Sequence, residues 1–334
     1  MDKPNITSSE IAMLWTQYLQ NTMSVQILRH FSETVEDEDV SRLVEQSLSI
    51  ALNIVEEMKQ LFKTEKIPVP RGFDETDVDI HAPRLSTDNF MWTFLENLGK
   101  AGMLSWSIAQ STATRSDIRT LFTSQIMETS RLFNNIIDTG LEKGFLIRPP
   151  YIEKPERVEF IEGKSYISNG FNPFHKRTLN DIEILHCFEN TKTNAVGEMI
   201  CTAFAQTAQS DAVRNYMKRG REISRKHLKT FQDILHNSDI HPPMSWGNCI
   251  TSSTVPVYSD RLMMFLMSVL SASGQGNYST ASTASLRYDL VFQYQRLSVE
   301  IALFAKDGLD IMIENGWMEE PPQAPDRTEL IKQK

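Results

Sequence analysis

Residues 67–85 read IPVPRGFDETDVDIHAPRL and residues 240–257 read IHPPMSWGNCITSSTVPV. Both segments lack helical periodicity, and each separates two long amphipathic stretches. A connection of that length inside a compact domain normally counts against the elements around it, yet this one occurs twice at the same place. At about 3.3 Å per extended residue it can run the length of a helix of about 40 Å. The helix after it can then start at the same end as the helix before it. The flanking turns are short. One short turn, one full-length crossover and one short turn is the connection pattern of a ferritin-like four-helix bundle.

The recurrence is part of an internal repeat. Sliding the chain against itself gives one dominant match, at an offset of 173 residues through the first part of each half and 172 through the rest. Glu10, Ile11, Asn21 and Phe31 meet Glu183, Ile184, Asn194 and Phe204; Arg115, Asp117, Gly144 and Pro149 meet Arg287, Asp289, Gly316 and Pro321. Register held over that span marks a tandem duplication. The fold class expected is all-α, two consecutive ferritin-like four-helix bundles. The expected division is a first bundle over 1–153, a connector over 154–177, a second bundle over 178–326 and a polar tail over 327–334. Within the connector, Val158 to Ile167 has the pattern of a small hairpin about Glu162-Gly163.

Local signals place the helix ends. Thr7-x-x-Glu10 is a capping box, and Asn180-x-x-Glu183 repeats it. Asp37 and Ser210 are matched N-cap candidates for the second helix of each copy, which ends before Ile67-Pro68 and Ile240-His241-Pro242. Gly144 and Gly316, each followed by an aromatic residue and later by two prolines, read as left-handed helix stops. A second apolar group on the first helix of each copy, Ile27 with Phe31 and Ile200 with Phe204, is expected to form the contact between the bundles. Solvent exposure of both phenylalanines would refute that.

Composition narrows the function. The chain has 334 residues and a net charge of −9. The first 153 residues carry −8, the connector +2 and the rest −3, so neither half has the basic excess that nucleic-acid binding needs. The longest apolar run, Leu262 to Met267, is far short of the roughly 20 residues of a membrane span, and the amino terminus has no targeting pattern. The expectation is a cytoplasmic protein without a transmembrane segment. Cys187 and Cys201 lie about 21 Å apart along one predicted helix, too far to bridge, and occupy the positions of Leu14 and Leu28; they read as core thiols.

The crossover GFDETDVDIHAPRLSTDNF (72–90), Leu14-Trp15, the RSDI turn (115–118) and the exit KGFLIRPPYIEKP (143–155) resemble domain-of-unknown-function family 3231 of endospore-forming bacteria. The resemblance implies tandem ferritin-like bundles distantly similar to small spore coat proteins, and a sporulation-associated setting. It implies no activity. The second copy departs from the crossover motif over Trp246 to Leu262, so a role for Asp77, His81 or Arg84 belongs to the first half alone.

Di-metal bundles take Glu from two helices and Glu-x-x-His from two more. The first copy has no Glu-x-x-His. In the second, Glu183, His186, Asp233 and His236 lie off the apolar stripes and read as solvated. Glu198, His227 and Glu300 are the weak metal candidates, set against the plainer reading of hydrogen-bonded pairs; their counterparts are Val25, Ile54 and Glu128. Arg115-x-Asp117 and Arg287-x-Asp289 read as structural, the guanidinium on the last carbonyls of the third helix and the carboxylate capping the fourth. Arg214, Lys218, Arg221, Arg225 and Lys229 form one basic stripe, a weak anion-binding candidate against the alternative of a solvated or salt-bridged face. No catalytic motif occurs. The leading expectation is a non-enzymatic structural or interaction protein with no cofactor, whose partner is a protein the sequence does not identify. The alternatives are a metal-binding ferritin-like oxidoreductase or storage protein, and a binder of an apolar or anionic small molecule between helices.

Overall fold

The computed structural model describes residues 4–168, 170, 176–243 and 249–332. Trp246 to Asn248, where the second crossover leaves the first motif, and residues 171–175 of the connector lie outside the described residues. The chain forms α1 (Ser8–Thr34), α2 (Glu38–Thr64), a one-turn 3-10 helix (Glu75–Asp77), α3 (Asp88–Thr112) and α4 (Ser116–Glu142), then the single turn α5 (Ser165–Ser168). The second copy follows as α6 (Asp181–Thr207), α7 (Asp211–His236), α8 (Asp260–Ala284) and α9 (Tyr288–Glu314), with a short α10 (Arg327–Lys332). These are two tandem helical bundles, each made of two tightly packed helical hairpins joined by a long crossover.

The caps sit where the local pattern puts them. Glu10 and Glu183 close reciprocal capping boxes with Thr7 and Asn180. Asp37 accepts from the amides of Asp39 and Val40, and Ser210 from that of Val213. Gly144 and Gly316 take φ +69° and +66°, a conformation only glycine adopts without strain. The chain then folds back, with Phe145 N donating to Gly140 O (2.8 Å) and Trp317 N to Met312 O (2.9 Å).

The hairpin expected about Glu162-Gly163 does not form. The chain there runs without a ladder into α5, whose Tyr166 N donates to Gly163 O at 3.1 Å. Val158 and Phe160 are 87% and 90% exposed. A two-stranded ribbon with no surface to bury its apolar face is marginal in water, so the alternating pattern has nothing to fold against.

Close helix approach has its own signature. A Cβ on Gly140 of α4 would stand 2.1 Å from Trp92 Cζ2 of α3, whose indole Nε1 donates to Ile136 O at 2.7 Å. Gly276, in an exposed stretch of α8, would meet nothing within 4 Å. Gly140→Ala is therefore expected to cost roughly 1–3 kcal/mol by overpacking, and Gly276→Ala to gain roughly 0.5–1 kcal/mol from backbone entropy. Urea midpoints moving in the same direction for both would contradict the close approach.

The crossovers do more than span a bundle, because they pair with each other. Asp79 N donates to Val257 O (2.7 Å) and Ser259 N to Asp77 O (2.9 Å); further along, Thr87 N donates to Cys249 O (2.9 Å) and Thr251 N to Leu85 O (3.0 Å). Both contacts are antiparallel bridges, Val78 to Tyr258 and Ser86 to Ile250. Ile27, Phe31, Ile200 and Phe204 are all buried. The rings of the two phenylalanines pack within their own copies, Phe31 edge-on to Phe94 and Phe204 against Tyr258 of the second crossover (6.0 Å), while it is His30 that meets Tyr258 across the copies (5.8 Å).

Candidate functional site

Of the metal candidates, the structure brings His227 and Glu300 together and leaves Glu198 bonded elsewhere. His227 is fully buried on α7. Its Nε2 lies 3.0 Å from Glu300 Oε2 and its Nδ1 3.0 Å from the Tyr278 hydroxyl. A carboxylate only accepts, so Nε2 carries the proton and Nδ1 accepts from Tyr278 O–H, whose oxygen in turn accepts from Asn194 Nδ2 at 2.9 Å. Burial pushes the His227 pKa down, outweighing the pull of Glu300, and keeps the ring neutral at pH 7. Glu300 also binds Lys226 Nζ (2.8 Å), and Glu198 binds Arg225 (2.8 Å). With one nitrogen protonated toward Glu300 and the other receiving a hydroxyl, the imidazole presents no free lone pair to a cation. Among the described residues, no three His, Cys, Asp or Glu side chains converge as a metal site.

The basic stripe is broken up by acids from its own and neighbouring helices. Arg214 pairs with Asp211 and donates to Ala208 O, Arg225 pairs with Glu198, and beside the stripe Arg219 reaches Asp307 of α9. Lys218 and Lys229 are exposed, and Arg221 is half-buried. Among the described residues, Lys218, Arg221 and Lys229 of the stripe have no acidic partner, and with Arg221 half-buried they do not make a continuous track.

The expectation that Glu183 is solvated is wrong; His186 is half-buried and Asp233 and His236 are exposed. Glu183 is fully buried. Its Oε1 accepts from the amides of Leu286 and Arg287 (both 3.1 Å), and Arg177 forks onto both oxygens at 2.8 and 3.0 Å. Glu10 does the same in the first copy, accepting from Thr114 N (2.8 Å), Arg115 N (2.7 Å) and Thr7 N (2.7 Å). Each carboxylate thus ties the start of one hairpin to the turn of the other. The guanidiniums of that turn differ from expectation as well. Arg115 bonds Asp117 and Glu65, and Arg287 bonds Asp289 and the Arg177 carbonyl, instead of the last carbonyls of α3 and α8. An aspartate two residues away on the same turn is within easier reach of the charge.

Three further polar contacts join the copies, none of them read from the sequence. Asp77 is buried and accepts from Ser259 Oγ (2.6 Å) and Arg261 (2.9 Å). Glu96 on α3 accepts from Lys192 of α6 (2.7 Å) and from Lys100 (2.9 Å), which also reaches Glu189 of α6 (2.8 Å). Burial opposes ionisation of Glu96, but the two ammonium groups hold its pKa below the ordinary value. Glu319, near the end of the chain, accepts from the backbone amides of Arg71 and Gly72 at 2.7 and 2.9 Å.

Between the copies lies a cavity of about 730 Å³ whose wall comes from all eight long helices. Leu28, Leu95 and Trp106 line it from the first copy, and Ile200, Met267 and Phe304 from the second. Small residues such as Ser24, Gly102, Gly197 and Gly274 hold the wall back. It is open to solvent, since the lining residues Ala101, Leu104, Ser107 and Thr280 are exposed. Gln125, on the core stripe of α4 and 4% exposed, stands in its wall, with its carboxamide oxygen sealed in the protein interior and without a partner. The signal for Gln125 was in the repeat: the second copy has Leu297 at that position.

A family model described as protein of unknown function (DUF3231) matches residues 1–158 and again 168–330. A solved structure of a "putative spore coat protein" from Bacillus halodurans C-125 is similar at a TM-score of 0.41 and 17% identity, over 45% of this chain and 98% of that one. No curated protein sequence matches the chain.

Proposed function

The chain belongs to the DUF3231 family, whose model covers it as two tandem repeats, and on that premise we propose that it is a non-enzymatic structural or interaction protein. The observation that supports this reading is the use of its buried acids. Glu10, Asp77, Glu96, Glu183 and Asp260 are the buried carboxylates among the described residues. Each is bonded to a backbone amide or a cation of another element, Asp260 to the amides of Gln209 and Ser210. Interior acids that would serve a metal in an oxidoreductase bundle here hold helices, turns and crossovers together. No helix of the described residues is long and apolar enough to cross a membrane. The motif resemblance over residues 72–90 and 143–155 supports a sporulation-associated setting, with the protein in the cytoplasm or on the spore and a protein as its partner.

The buried Cys187 thiol fits a structural role, since desolvation pushes its pKa up to about 12 and a thiolate nucleophile needs the opposite. Iron loading tests the whole reading. Protein incubated aerobically with ferrous iron and desalted is expected to retain no stoichiometric iron by elemental analysis. Retention of an iron pair per bundle that Glu300→Ala abolishes would overturn it in favour of a ferritin-like oxidoreductase or storage protein.

A further inference from the structure

We propose that α9 pairs with the α9 of a second copy of this chain, antiparallel and about a two-fold axis beside Leu303, so that the protein is a homodimer joined through its second bundle. Gln295, Val299, Ala302, Lys306, Leu309 and Ile313 recur at intervals of four and three along α9, and all are exposed. With Leu303 beside them they form a mostly apolar stripe, opposite the core-facing stripe of Leu297, Phe304, Gly308 and Met312. Their spacing is the one by which a helix packs lengthwise along another. Val299, Leu303, Leu309 and Ile313 are between 43% and 61% exposed and belong to neither hydrophobic core. Apolar residues scattered singly on a surface are ordinary, but four gathered on one helix face mark a contact surface.

The first copy shows that the bundle does not need this stripe for folding. In α4, which holds the same place there, the positions of Val299, Ala302, Leu303 and Lys306 carry Met127, Ser130, Arg131 and Asn134. The fold is the same with an arginine where the second copy has Leu303.

Charge fixes both the occupant and the register. Arg296 and Asp310 stand at equal distances on either side of Leu303, seven residues each way. When two α9 helices run antiparallel with Leu303 against Leu303 of the second copy, Arg296 of each comes opposite Asp310 of the other. In that register Val299 lies against Leu309 of the second copy, and the small Ala302 leaves room for the Lys306 stem. Arg296 has no acidic partner among the described residues, and Asp310 is paired with Lys306 one turn away, at 2.6 Å on the exposed surface. The pattern is its own mirror, so the helix that matches it is α9 itself. Arg131 would set two guanidiniums together at the same axis on α4. The first bundle therefore does not pair in this way, and the contact closes as a dimer instead of extending into a chain.

Sedimentation equilibrium of the full-length protein at about 0.1 M salt is expected to show a reversible monomer–dimer equilibrium. Leu303→Arg, which places the residue of the first copy on the axis, should raise the dimer dissociation constant at least about a hundredfold. Arg296→Asp and Asp310→Arg should each raise it about tenfold, as two attractions become two repulsions. Mixed one to one, these two variants carry acids on one chain and arginines on the other, and the mixture should recover the wild-type affinity to within about threefold. All three residues are exposed, and circular dichroism and urea midpoints report that each variant keeps the fold. A monomer at about 100 µM would overturn the proposal and leave the face to a different partner. A Leu303→Arg variant as dimeric as wild type, or a mixture no tighter than its separate components, would overturn it too. The proposal builds on the reading of the chain as an interaction protein, but no sedimentation result depends on iron retention, so the two can fail separately.

Discussion

Replacing Asp77 by Ala is expected to destabilise the protein by about 3–5 kcal/mol, the cost of leaving a buried charge without its partner. Arg261 has a side chain 11% exposed, its guanidinium stacked 4.3 Å from the Phe73 ring centroid and its remaining donors on Asp77 and the Gly72 carbonyl. Asp77 also accepts from Asp74 N at 3.1 Å, which closes the 3-10 turn, and from Ser259 Oγ, which continues into the crossover bridge. Removing the carboxylate strands the guanidinium, the hydroxyl and the turn together. The double variant Asp77→Ala, Arg261→Met should regain most of the loss, because the cost lies in the unpaired charge more than in the missing pair. Urea unfolding of the two single variants and the double one makes the cycle. A double variant as unstable as the sum of the singles would show that the pair is not what joins the crossovers.

That pair also marks the limit of what could be read along the chain. Caps and stops are written within four residues of each other, so Thr7 to Glu10, Asn180 to Glu183 and the Gly144 and Gly316 stops were all legible from spacing. The crossovers were legible as lengths, since length depends only on where two helices end. Their pairing was not, because Asp77 and Arg261 lie 184 residues apart and neither strand carries an apolar alternation that would announce a ladder. Glu183 was misread for a related reason. A helical wheel measures distance from the apolar stripe, whereas the first turn of α6 is buried by the α8–α9 turn lying over it. The clue was that Glu10 and Glu183 are the same residue in two copies that differ at most positions. The basic stripe was correctly periodic, but Glu198, Glu300 and Asp307, which neutralise the cations on and beside it, stand on other helices. The cavity was invisible, since it arises where small residues on several helices meet, and no single period records that.

Acid should unfold the protein partly through Glu10. Burial alone would raise its pKa, but hydrogen bonds from the amides of Arg115, Thr7 and Thr114 and from the Thr7 hydroxyl outweigh that and bring it from 4.5 to about 2. A carboxyl whose pKa is lower folded than unfolded stabilises the fold fully above the unfolded value. It loses that contribution as pH falls from about 4.5 through about 2. At 1.36 kcal/mol per unit the contribution is on the order of 3 kcal/mol. Glu10→Gln keeps the shape but sets an NH₂ group against amide donors that need an acceptor, so at neutral pH the variant should be less stable by about 2–3 kcal/mol. The gap between wild type and variant should then narrow as pH is lowered from 5 toward 2, because protonation makes the wild-type carboxyl a donor too. Urea unfolding free energies at a series of pH values measure it. A gap of constant size down to pH 2 would mean that the carboxylate's charge is not what ties α1 to the α3–α4 turn.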